Sequence, residues 1–369
     1  MIKVATLSYQ NAYNYGAVFQ VAALQHIIES LGADCDIVDY RCPAIDSQYD
    51  FKPVGLNKSF IRNLRANLVL VPYIRKKKNN FRHWMESYKK TETIKNAEQL
   101  KSLNSKYDKF VVGSDQVWNL KCQGYDDAFF LNFVDDDSKK IAYAASFGTF
   151  DVKEEDKHIY SRYIEKFSSI SVRESRGIEL VKNLSGRDAV ACMDPVLLAG
   201  REFWEGKVDH SPTPTKDYIF VYQLGHGSLV PKFIDSLKQA TRLQVTYVTG
   251  HIGNMIHYSL SDRNESSVSP ERFLTLLSQA KYVVTNSFHA TVLSIIFQKQ
   301  FYTVSQGGAE SAYNSRIYNL LRDYKLEDRI KEKFDDLTEI SSDQFVNIND
   351  IHEKLSKQSL NFLKSSLNL

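Results

Sequence analysis

Cysteine is scarce and scattered. Four occur in 369 residues: Cys35, Cys42, Cys122 and Cys192. They form no C-x-x-C pair and no Cys/His cluster, which argues against a zinc site and a disulfide framework and fits a reducing cytoplasm. No stretch approaches the ~18 consecutive apolar residues of a membrane-spanning helix. The start, "MIKVATLSYQ", lacks the basic segment and apolar run of a secretory signal. The expected location is therefore the cytoplasm. The formal net charge is only +3, so bulk charge does not mark a nucleic-acid binder. Also missing are G-x-G-x-x-G, a P-loop, a G-x-S-x-G elbow and any metal-ligand spacing. No dinucleotide fingerprint, serine-hydrolase motif or metal is expected.

Hydrophobic residues make up 43% and charged residues 25%, both ordinary for a globular protein. The length suits two domains. Aromatics are plentiful, with 21 Tyr, 21 Phe and 3 Trp. Most will be core, although such rings also stack on sugars.

"IKVATLS" (2–8) reads as a buried strand, "AVFQVAALQHIIESLG" as a helix stopped by Gly32, and "CDIVDY" (35–40) as the next strand. A β-loop-α-β start favours a parallel sheet. Its loop, with Asn11, Asn14 and Gly16, lies at a strand's carboxyl end, where open α/β sheets bind ligands. "YDKFVVG", "KKIAYAASFG" and "SSISVRE" continue the strands, and "AVACMDPVLL" (189–198) closes this half with a strand and a proline turn. A linker rich in charge and proline follows 201. The pattern then restarts with "YIFVYQL", "LQVTYVTG", "KYVVT" and "QFYTV" as strands. The fold class expected is α/β, two Rossmann-like domains facing across a cleft. The expected domains are 1–200, with a basic insertion at about 56–90, and 201–345. An amphipathic helix at 346–369 is expected to cross back to the first half.

The insertion is unusual in charge. Residues 62–90 hold nine basic residues, among them Lys76, Lys77 and Lys78, and one acid, Glu86. Either it is a solvated helix, or it meets anionic lipid headgroups or a lipid-linked, phosphate-bearing acceptor.

Four constellations can carry chemistry. In "YVVTNSFHATVLSIIF" (282–297) a strand runs into a helix. Its N-terminus offers unpaired N–H groups and partial positive charge, suited to phosphate or carboxylate. Asn286 and Ser287 can cap it. His289, in its first turn, is a candidate proton donor if Phe288, Val292, Ile295 and Ile296 keep the buried face. In "VVGSDQVWN" (111–119), Ser114 and Asp115 follow a strand-end glycine, and Asp115 can orient or deprotonate a sugar hydroxyl. In "SVRESRG" (171–177), Arg173 ends an apolar strand, where a charge needs a partner. That partner is Glu174 or a bound anion. Arg316 opens an amphipathic helix after the Gly-rich loop "SQGGAE" (305–310).

Taken in order, "NYGAVFQVAALQ", "FVVGSDQVWN", "AASFG", "SVRESRG", "MDPVLL", "VVTNSFHAT" and "NSRIYNLL" resemble the polysaccharide pyruvyl transferase family over residues 1–330. The resemblance implies a GT-B-like fold. It implies pyruvyl transfer from phosphoenolpyruvate to hydroxyls of a cell-surface glycan or its lipid-linked precursor, as a ketal, with no metal or redox cofactor. It makes His289 the general acid and Arg173 the grip on the donor, with Asp115 on the acceptor side. Arg316, Ser287, Asn286, Asn14, Gly16, Ser114 and Ser146 complete the expected substrate-binding set. One position departs from the family pattern. Its better-described branches carry an arginine two residues before the histidine, where this chain has Ser287, and Arg316 is the expected replacement. Two alternatives stay open: a GT-B-type glycosyltransferase using a nucleotide sugar, and a non-catalytic glycan-binding protein.

Overall fold

The computed structural model describes residues 1–49, 60–149, 151–214, 216–225, 229–249, 261–265, 267–304, 311–331 and 338–369. For 60–70, 229, 249 and 311–315 it describes the backbone alone. The Gly-rich loop 305–310 and the first residues of the basic insertion, 56–59, lie outside the described residues.

Two six-stranded sheets, all parallel, form the frame. The first contains β1 (Lys3–Leu7), β2 (Asp34–Ile37), β3 (Lys109–Val112), β4 (Lys140–Ala145), β5 (Ser169–Val172) and β6 (Val190–Ala191), in the spatial order 2-1-3-4-5-6. The second contains β7 (Tyr218–Gln223), β8 (Gln244–Thr249), β9 (Arg263–Asn264), β10 (Tyr282–Thr285), β11 (Gln300–Val304) and β12 (Ile330–Lys331), in the order 12-11-10-7-8-9. Counted from β7, that is the Rossmann order 3-2-1-4-5-6. Helices cover both faces of such sheets, so central strands read as unbroken apolar runs. "YIFVYQ" and "YVVT" are buried at every position. The proline turn expected after β6 is a short helix, Pro195–Leu198, with Pro195 in its first turn, where a missing N–H costs no bond.

The halves meet through aromatic rings. Tyr15 stacks on Phe273 with centroids 4.3 Å apart and meets Tyr222 edge-on at 5.7 Å. Phe19 packs against Trp84 and Trp204. The Tyr15 hydroxyl donates to Val268 O at 3.0 Å. One continuous core therefore runs from Val4 to Leu367 through both halves.

The basic insertion is a helix, Phe60–Glu86, with Pro72 inside it. Its end is anchored, because Phe81, Trp84 and Met85 are buried. Asn80 Nδ2 donates to Ser267 O, tying the helix to the second half. The solvated-helix expectation therefore fails for its last turns. Lys77 is itself buried, above the rings of Tyr15 and Phe81 at 5.8 and 5.7 Å. Among the described residues no helix is long and apolar enough to cross a membrane. The terminal helix, Ser342–Leu367, lies against the first sheet: Ser359 Oγ accepts from Met193 N, and Gln358 Nε2 donates to Ala191 O.

Candidate active site

The site forms where the carboxyl ends of β5 and β6 face the helix that follows β10. Arg173 is the first residue after β5, so the strand delivers its side chain to the sheet's carboxyl edge. The guanidinium is enclosed, and its charge is met on two sides. Nε donates to Glu174 Oε1 at 2.9 Å and Nη1 to Asp194 Oδ2 at 3.0 Å. Burial works against the guanidinium's charge, but Glu174, Asp194 and Asp115 outweigh it and push its pKa further up. Ser146 Oγ donates to Glu174 Oε1 at 2.9 Å, so Ser146 reaches the site through Glu174.

Asp194 is the hub. Its Oδ1 caps the Pro195–Leu198 helix by accepting from Val196 N at 2.9 Å. Its Oδ2 accepts from Ser114 Oγ at 2.8 Å as well as from Arg173. His289 Nε2 stands 3.5 Å from the same oxygen. Burial pushes the Asp194 carboxyl up, yet His289, Arg173 and the Ser114 hydroxyl together hold it well below the usual carboxylate range.

His289 lies in the first turn of the helix Phe288–Ile296, which Ser287 caps by accepting from Ala290 N at 3.5 Å. That helix is buried along its whole length, so the expected split into a buried face and a free His289 does not hold. It is sandwiched between its own sheet and the helix Tyr15–Ser30. Gly16 is the reason the two helices fit: a Cβ there would lie 2.0 Å from His289 Nδ1. Asn14 caps the Tyr15–Ser30 helix, its Oδ1 accepting from Gly16 N at 2.9 Å. Asn286 is spent on Leu224, donating to its O and accepting from its N, both at 2.7 Å. Asn14, Ser287 and Asn286 thus shape the site through its backbone.

Among the described residues, buried Arg173 Nη2 makes no hydrogen bond, and buried His289 Nε2 has only the 3.5 Å ion contact to Asp194. Both belong to side chains that share Asp194. Phe288 links Arg173 to Arg316: the guanidinium carbons lie 4.6 and 6.0 Å from its ring centroid. These three side chains and Asp194 line a cavity of about 250 Å³, together with Asn319 and Gln358. Neither His289 nor Asp115 lines it; His289 meets it only through Asp194, and Asp115 turns aside. It adopts a positive φ of 77° and its Oδ1 accepts from Gln116 N at 2.9 Å. It remains close enough to Arg173 to act on that charge. Among the described residues no group of three or more His, Cys, Asp or Glu could hold a metal ion.

The sequence profile of the family described as polysaccharide pyruvyl transferase matches residues 14–307. The chain belongs to that family. The match includes Gly16, Asp115, Arg173, Asp194 and His289. No curated protein matches the chain. Among solved structures, S. aureus MnaA with UDP is similar at TM-score 0.52 and 13% identity, over 100% of this chain and 98% of that one. UDP-N-acetylglucosamine 2-epimerase from Rickettsia bellii is similar at TM-score 0.50 and 9% identity, over 100% and 97%. At such identities the likeness is one of fold, and the fold is GT-B-like.

Three residues of the site carried no role in the sequence reading. Asp194 sits in "MDPVLL", where an acid before a proline reads as a helix cap. Glu174 reads as Arg173's bland partner, and Phe288 as core. Asp194 had a detectable signal, since a cap preceding a wholly apolar turn has to be buried.

Proposed function

We propose that this protein transfers a pyruvyl group from phosphoenolpyruvate to hydroxyls of a sugar in a cell-surface glycan or its lipid-linked precursor. The observation that carries the reading is the buried donor Arg173 Nη2, without a hydrogen-bond partner among the described residues, on a side chain that shares Asp194 with His289. An unpaired buried donor is costly, and an anion with several acceptor oxygens would satisfy it. Arg173 and Arg316 flank one ring, a spacing that suits a donor with a carboxylate at one end and a phosphate at the other. Whole small-ligand pockets start at about 300 Å³. A cavity of about 250 Å³ therefore favours a compact polyanion over a nucleotide sugar.

In this reading His289, held by Asp194, gives its proton to the donor's methylene carbon. The adjacent carbon becomes oxocarbenium-like, and the arginines stabilise the anionic groups around it. A sugar hydroxyl oxygen bonds to that carbon and its proton passes to a base, for which Asp115 is the candidate. A second hydroxyl closes the ketal, giving its proton back to His289, as the bond to the phosphate oxygen breaks and the leaving phosphate takes the proton held by Asp115. The 3.5 Å between His289 and Asp194 is long for a hydrogen bond, as catalytic contacts often are before substrate binds.

A nucleotide-sugar reaction is the second reading, favoured by the Rossmann order of the second sheet and by the fold shared with a UDP-bound structure. Glycan from cells lacking the gene separates the two. Loss of pyruvate ketal from that glycan, restored by the wild type and not by His289→Ala, supports pyruvyl transfer. Loss of a sugar with ketal unchanged supports the second reading.

A further inference from the structure

A separate cavity of about 70 Å³ opens beside the loop that delivers Gly16 to His289. That is room for about five water-sized groups, the size of a phosphate. Its floor is aromatic: Tyr13 and Phe81 meet edge-on at 6.1 Å. Its rim is cationic, with Arg41, Arg82 and Lys90. Lys78 Nζ lies 5.3 Å over the Tyr13 ring, just outside it.

Among the described residues, the charges of the lining are only partly offset. Arg41 is offset by Asp39 at 3.6 Å. The side chains of Arg82 and Lys90 form no ion pair or hydrogen bond among the described residues. Converging cations over aromatic rings, with one acid among them, describe an anion site.

We infer that this cavity binds a phosphate or diphosphate ester carried by the saccharide that accepts the pyruvyl group. The anion site stands on its own geometry, and the identity of its carrier rests on the function proposed above. Tyr13 and Gly16 are three residues apart, so their Cα atoms lie within about 11 Å of each other. The phosphate site therefore lies on the same loop that runs into the Gly16–His289 contact.

The test is a calorimetric titration with inorganic diphosphate. The proteins are wild type, the double variant Arg82→Ala/Lys90→Ala, and Arg173→Ala, each checked for an unchanged thermal melt. The expected result is saturable, salt-sensitive binding to wild type and Arg173→Ala, and about tenfold weaker binding to the double variant. Phosphoenolpyruvate binding by the double variant should be unchanged, which separates this site from the donor site. No saturable diphosphate binding by wild type overturns the inference. So does binding lost in Arg173→Ala but kept in the double variant. Two further arms identify the carrier. Displacement of diphosphate by glucose 1-phosphate assigns a soluble ester. Retention of wild type, but not the double variant, on vesicles containing polyprenyl diphosphate assigns a lipid-linked one. Failure of both arms overturns the acceptor assignment.

Discussion

Gly16 and His289 come from opposite halves of the chain, and a methyl group on Gly16 would sit 2.0 Å from His289 Nδ1. The imidazole is therefore positioned by the absence of a side chain. Gly16→Ala should move His289 and lower kcat by one to two orders of magnitude, roughly what misplacing a catalytic group costs. Alanine is a better helix former than glycine by about 1 kcal/mol, so the helix itself should persist. Activity against far-ultraviolet circular dichroism is the check: lost turnover with unchanged helicity is expected.

Asp194 is expected to matter twice. Asp194→Asn leaves the buried Arg173 charge with Glu174 as its one ion-paired acid among the described residues and removes the counter-charge of His289. Breaking a buried pair costs about 3–5 kcal/mol. The carboxyl's pKa is depressed in the fold, so its contribution is present above the ordinary value near 3.8 and is lost as pH falls through the folded value. Chemical denaturation should show the largest gap between variant and wild type at neutral pH, narrowing as pH falls below that value.

Arg316 should hold the donor from the second half. Arg316→Ala is expected to weaken phosphoenolpyruvate binding by about ten- to a hundredfold, the worth of a charge-assisted contact. Arg316→Lys should recover little of it, because a point charge does not replace a planar fork against Phe288. Titration of both variants decides this.

Lys77 is destabilising where it is charged. Burial alone lowers its pKa from 10.5 to about 8. The unfolded chain holds the proton more tightly, so stability should rise with pH between those values. Lys77→Met should stabilise the protein at pH 7 by about 1–2 kcal/mol, once the lost ring contacts are set against the relieved desolvation. Melting curves at pH 7 and pH 10.5 should show the gain shrinking at the higher pH.

Much of the frame was legible because parallel strands buried on both faces are plain apolar runs. "QFYTV" corresponds residue for residue to β11. Arg173 was legible because a charge ending such a run needs a partner. For Asp194 only the burial was legible, since its role exists only when residues 114, 173, 194 and 289 converge. The burial of Lys77 was hidden for a related reason. Its helix looks basic on every side until the second half of the chain closes over Tyr15. Asn14, Asn286 and Ser287 looked like ligands because capping and anion binding use the same residue types at the same helix ends.

The most direct test of the central claim is calorimetric titration of the folded protein with phosphoenolpyruvate, beside Arg173→Ala and His289→Ala. The account predicts saturable binding by wild type, weakened by both substitutions. Absence of binding by wild type, or binding that neither substitution changes, would contradict it.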